Sequence, residues 1–123
     1  MPQWIAAALA LMLTVGAALA HEPRPGPNGG KLVDAGTRYH AELVTTGTTE
    51  VVVHMSDAND RPIPSDGFRA NAILVVNGQT IRFPLQPAGG SRLVGIAPVP
   101  VPAGARGAVQ ITSPQGATAQ ARF

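Results

Sequence analysis

Arg38-Tyr39-His40-Ala41-Glu42-Leu43-Val44, then Thr45-Thr46-Gly47-Thr48-Thr49, then Glu50-Val51-Val52-Val53-His54-Met55-Ser56-Asp57 is the stretch whose reading decides the fold. Its two flanks alternate with a period of two, as half-buried strands do, and the Thr/Gly segment between them is a turn. One face gathers Tyr39, Ala41, Leu43, Val51, Val53 and Met55, an apolar set fit for a core. The other gathers His40, Glu42, Val44, Val52 and His54. Pairing about Gly47 sets Leu43 against Val51 and His40 against His54, and a one-residue slip would break the apolar face, so parity is well determined. Opposed residues in an antiparallel pair have Cβ atoms roughly 4.5–5.5 Å apart, near enough for two imidazoles to share a metal ion or a proton.

Outward from this hairpin, Lys31-Leu32-Val33-Asp34-Ala35 is a short strand that feeds it. Before that, residues 21–30 read His-Glu-Pro-Arg-Pro-Gly-Pro-Asn-Gly-Gly. Prolines remove donors and glycines add backbone entropy, so this segment is expected to be a flexible arm without ladder bonds. After the hairpin, the turn formers of residues 57–64 carry the chain to another sheet. Residues 68–76 alternate again, and Asn77-Gly78 is a strong type I′ hairpin signal that sets Leu74 against Ile81 and Ala72 against Phe83. Residues 84–90 read as a loop, 92–96 as a strand, and Pro98-Val99-Pro100-Val101-Pro102 as a polyproline-like crossing. A last hairpin turns at Ser113-Pro114-Gln115-Gly116. No helical periodicity occurs after residue 20, and about seven short strands at regular turn spacing predict an antiparallel immunoglobulin-like β-sandwich over residues 31–123. Its expected core is Leu43, Val51, Val53, Leu74, Ile81, Phe83, Leu93, Val109 and Ile111.

Residues 1–20 stand apart. An almost unbroken apolar run from residue 5 ends in Ala18-Leu19-Ala20, the small-x-small pattern of a secretory cleavage site. The segment before it lacks Lys and Arg, and the run nears the ~20 residues that spanning needs, so an uncleaved leader would be a membrane anchor. Cleavage would leave a mature chain beginning at His21. With no cysteine in 123 residues, the exported domain must hold together by packing alone, which suits a bacterial periplasm. Thiolate metal sites and cysteine nucleophiles are excluded as well.

Net charge is +2, and the arginines are scattered from Arg24 to Arg122 without clustering, which excludes a nucleic-acid footprint. There is no Gly-x-Ser-x-Gly, no phosphate-binding glycine loop and no metalloprotease histidine motif. Asp57, Asp60 and Ser65-Asp66 fall in turns, where such side chains cap backbone. The chain is therefore expected not to be an enzyme.

The exported start His21-Glu22-Pro23, the element Pro27-Asn28-Gly29-Gly30, Asp34-Ala35-Gly36 with Tyr39-His40-Ala41-Glu42-Leu43-Val44, and Pro87-Ala88-Gly89-Gly90 before Arg92-Leu93 resemble small periplasmic proteins of proteobacteria associated with heavy-metal and copper efflux. The same elements are similar to the N-terminal domain of heavy-metal efflux periplasmic adaptor subunits. The likeness covers most of the mature chain and rests on turn and strand residues. It departs at Asn28, where such proteins often carry a histidine before the Gly-Gly pair. What the resemblance implies is periplasmic metal handling, with an efflux pump or envelope protein as partner.

The candidate metal ligands are His40 and His54, with Glu42 on the same face or His21 at the arm's start completing the set. A His₂-carboxylate group suits Cu(II) or Zn(II). A cleaved His21 would offer α-amine and imidazole together to copper. Met55 points to the opposite face and reads as core filler. Against this metal-binding accessory stands a non-catalytic β-sandwich adaptor of the cell envelope that adds an edge strand to its partner without a metal.

Overall fold

The computed structural model describes residues 22–123; the expected leader, residues 1–20, and His21 lie outside the described residues. These residues form β1 (Arg24–Pro25), β2 (Lys31–Ala35), β3 (Tyr39–Thr45), β4 (Glu50–Asp57), β5 (Arg69–Val76), β6 (Gln79–Pro87), β7 (Arg92–Ile96), β8 (Arg106–Thr112) and β9 (Thr118–Arg122). No described residue is helical.

The hairpins assemble into one sheet in the order β1-β2-β3-β4-β7-β6-β5-β8-β9, every pairing antiparallel, and β9 returns to β2 through Ala35 and Ala121. The sheet thus closes into an eight-stranded antiparallel barrel, with β1 as a short extra strand outside the ring. This corrects the expected immunoglobulin-like sandwich of about seven strands. Both architectures demand the same inside-outside alternation along each strand, so period-two patterning is blind to the difference. What decides it is non-local: β7 bridges β4 and β6, and small residues at Ala35 and Ala121, both fully buried, let β2 and β9 meet.

The two long connections therefore do not pass between sheets. Strand directions put residues 58–68 across one end of the barrel and residues 97–105 across the other, each bypassing two staves. The second crossing turns Val101 fully inward. It bonds back to the first hairpin: Gly47 N–H donates to Val101 O at 2.8 Å, and Val101 N–H to Thr48 O at 2.9 Å.

The interior matches the expected set closely. Leu43, Val51, Val53, Leu74, Phe83, Leu93, Val109 and Ile111 are buried, while Ile81 packs on the core at its margin. Tyr39 meets Phe68 edge to face, their centroids 5.8 Å apart. Leu85, expected in a loop, is fully buried because β6 runs on through Pro84 to Pro87. Proline is tolerated there because its missing N–H faces away from the β5 ladder. The second hairpin has the expected register, with Leu74 opposite Ile81 and Ala72 opposite Phe83. Asn77 and Gly78 both take positive φ, 51° and 75°, as a type I′ turn requires.

Candidate functional site

The first hairpin keeps its expected parity but not its register. Leu43 pairs with Val53, Glu42 with His54 and His40 with Ser56, so the strands are shifted by two residues from a pairing about Gly47. The cause lies at the tip. Gly47 and Thr48 bond to Val101 rather than across the turn, which moves the hairpin's centre one residue along. His40 and His54 are consequently not opposed, and the shared imidazole pair expected from the sequence is corrected. On the outer wall the row that results runs Leu32, Glu42, His54, Arg92 across β2, β3, β4 and β7.

Glu42 is only 1% exposed although its side chain leaves the outside of the barrel. The arm covers it. Asn28 donates from its backbone N–H to Oε2 at 2.8 Å and from Nδ2 to Oε1 at 2.8 Å, and Gly30 N–H donates to Oε2 at 2.8 Å. These are charge-assisted bonds, roughly twice as strong as neutral ones, and they satisfy a carboxylate that burial would otherwise penalise. The approach is so close that a Cβ on Gly26 would stand 2.3 Å from Glu42 Cδ. Upstream, Arg24 and Pro25 pair with Leu32 and Lys31. The arm expected to lack ladder bonds is therefore tied to the barrel by a two-residue ladder and a buried carboxylate.

His40 is also occupied. Its Nδ1 lies 2.8 Å from Asp60 Oδ1 and its Nε2 3.2 Å from Asp34 Oδ1. Arg24 stands 4.0 Å from the same Asp34 oxygen. The effect is to tie the turn after β4 to the wall. That turn is organised by Asp57, whose carboxylate accepts Asn59 N–H at 2.8 Å and Arg61 N–H at 3.0 Å. The Arg61 bond is the chief reason that the Asp57 carboxyl lies below the ordinary carboxylate range.

His54 stands between Glu42 and Arg92. Partial burial is the main cause holding its pKa below the ordinary histidine value; the Glu42 charge pulls the other way and Arg92 reinforces the lowering. The imidazole is thus neutral at pH 7, with a ring nitrogen lone pair on offer. It opens into a cleft of about 620 Å³ walled by Arg24, Pro25, Pro27 and Asn28 on the arm side and by Ser56, Asp60, Pro62 and Ser91 on the other.

The lowered pKa has a stability consequence. Between the folded value and the unfolded value near 6.5, the unfolded chain binds more protons at this residue, so acidification through that window favours unfolding. Stability should therefore fall as pH drops below about 6.5, and His54→Gln should flatten that part of the profile in denaturant titrations at several pH values. An unchanged slope in the variant would show that His54 is not the group responsible.

Of the four ligands named from the sequence, the structure leaves one unengaged: His54. Glu42 is saturated, His40 is held by two aspartates, and His21 lies outside the described residues. Among the described residues no three His, Cys, Asp or Glu side chains gather into a set able to hold a metal ion. Sequence reasoning missed Asp34 and Asp60, which became partners of His40 through the β2 ladder and a turn, and Arg92, which needed the β4–β7 pairing. Asn28 and Gly30 had a visible signal, the Pro-Asn-Gly-Gly run, but not its recipient. Comparison of the chain with family models, with curated proteins and with solved structures finds no match.

Proposed function

We propose that this chain is a non-catalytic, periplasmic metal-binding accessory protein whose ligand, Cu(II) or Zn(II), is anchored by His54 in the cleft between arm and barrel. The observation that supports the reading is the neutral His54 imidazole facing a cleft whose other wall is the arm itself. Arg24 lines that cleft, and His21 precedes it by three residues, a reach of about 10 Å in extended chain. His21, with its α-amine if the leader is removed, is the second ligand in this proposal. Imidazole and amine nitrogen suit both ions, and either would compete with protons for these groups, so binding weakens as pH falls. The setting, heavy-metal homeostasis or efflux with a pump or envelope partner, follows the resemblance described above.

Calorimetric titration of the mature protein with Cu(II) tests it. His54→Ala and His21→Ala should each weaken binding at least tenfold, while His40→Ala should leave the affinity within about twofold and lower stability instead, because two ligands of one chelate contribute jointly. Equal binding by wild type and both cleft variants would overturn the proposal.

A second reading, an envelope adaptor without a metal, is favoured by a different observation: Ile96 and Val99, 65% and 39% exposed, stand on the outside of the barrel. Absence of binding for either metal would leave this reading in possession.

A further inference from the structure

Residues 22–30 lie against the barrel without belonging to it. None of them is buried, and none contributes to the apolar core. Their ladder is two pairs long, Arg24 with Leu32 and Pro25 with Lys31, and Pro23, Pro25 and Pro27 have no N–H to lend it. An ion pair of 4.0 Å from Arg24 to Asp34 adds little at an exposed site. The main attachment is therefore the Glu42 carboxylate, which accepts Asn28 N–H, Asn28 Nδ2 and Gly30 N–H, each at 2.8 Å. Releasing the arm exposes no core residue and breaks no ladder of the eight-stranded ring, so undocking costs far less than unfolding the barrel.

The cleft in front of His54 depends on that docking. Arg24, Pro25, Pro27 and Asn28 form one of its walls, so with the arm away His54 faces open solvent. Docking also sets the tether of His21. When the arm is docked, His21 lies three residues before Arg24, whose place β1 fixes; when it is released, the nearest fixed residue is Lys31, the first of β2, ten residues on. The effective concentration of a tethered group falls roughly as the −3/2 power of tether length, so release dilutes His21 at His54 by a factor of about six.

We propose that the arm is a strap that completes the metal site, so that docking at Glu42 and metal binding at His54 are coupled. The inference rests on the metal reading above and adds its regulation. A metal held by His54 and His21 draws the arm down, and a docked arm raises the metal affinity, by the same factor in both directions. Gly26 is where this coupling can be cut without touching the site. It does not line the cleft and its φ lies outside the left-handed region, yet a Cβ there would stand 2.3 Å from Glu42 Cδ. Whichever gives way, the arm or the carboxylate, the bonds to Asn28 and Gly30 are lost.

Two measurements on the mature protein with Zn(II) test it: the calorimetric affinity of wild type and Gly26→Ala, and hydrogen exchange of the Asn28 and Gly30 amides with and without saturating metal. Without metal, both amides should exchange faster in Gly26→Ala than in wild type while β3 and β4 stay protected. The variant should bind Zn(II) at least threefold more weakly, about sixfold from the tether alone. In wild type, metal should slow exchange of both amides at least threefold. The exchange measurement needs no substitution and stays decisive if the variant folds poorly. Smaller changes in affinity or in metal-dependent exchange, or a variant whose arm amides stay as protected as in wild type, would overturn the coupling and leave the metal reading standing. A wild type that does not take up Zn(II) would also overturn the coupling, and one that takes up neither Zn(II) nor Cu(II) would overturn the metal reading with it.

Discussion

Glu42→Gln is expected to cost about 2–4 kcal/mol, the size of a buried charged acceptor losing its charge-assisted bonds while one of its oxygens becomes a donor facing a donor. The shape is preserved, so the loss is electrostatic and not a matter of volume. Three donors converge on this carboxylate, the Asn28 and Gly30 N–H groups and Asn28 Nδ2, and an amide can accept from only one side. The effect should appear first in the arm. Hydrogen exchange of the Asn28 and Gly30 amides should accelerate well before exchange in β3 or β4, because undocking the arm relieves the mismatch at less cost than unfolding the barrel. A variant with wild-type stability and wild-type protection of both amides would mean that Glu42 does not hold the arm.

Leu74→Ala should lower stability by about 2–5 kcal/mol, the range for truncating a fully buried leucine in a core that cannot collapse onto the space. Leu74 is 0% exposed at the centre of β5, which is paired along its length with both β6 and β8. Two flanking strands fixed by complete ladders leave little room for relaxation, which favours the upper part of that range. Urea denaturation at neutral pH measures it. A loss under about 1 kcal/mol would put Leu74 outside the packed interior.

Local structure was readable from the sequence wherever adjacent residues determine it. Asn77-Gly78 fixed a register because both residues accept positive φ and leave no slack in a two-residue turn. Thr46-Gly47-Thr48-Thr49 did not, since several turns fit such a loop and the one adopted depends on Val101, more than fifty residues away. That shift moved His54 from a partnership with His40 to one with Glu42. Barrel closure was likewise hidden, because it rests on Ala35 meeting Ala121, a contact between small residues that carry no pattern of their own. The arm misled for a related reason. Its prolines and glycines argue correctly against regular structure, but a glycine at position 26 can also mean that something must approach closely, and here that is the Glu42 carboxylate.

These reassignments give the three histidines different duties, and one measurement separates them most directly: Zn(II) titrated into isotope-labelled mature protein while the imidazole nitrogens are followed by NMR. The account predicts that the His54 ring nitrogen shifts in proportion to added metal, together with His21, while the His40 ring, held between Asp34 and Asp60, stays in place. Metal-dependent shifts at His40 with His54 unmoved would contradict it.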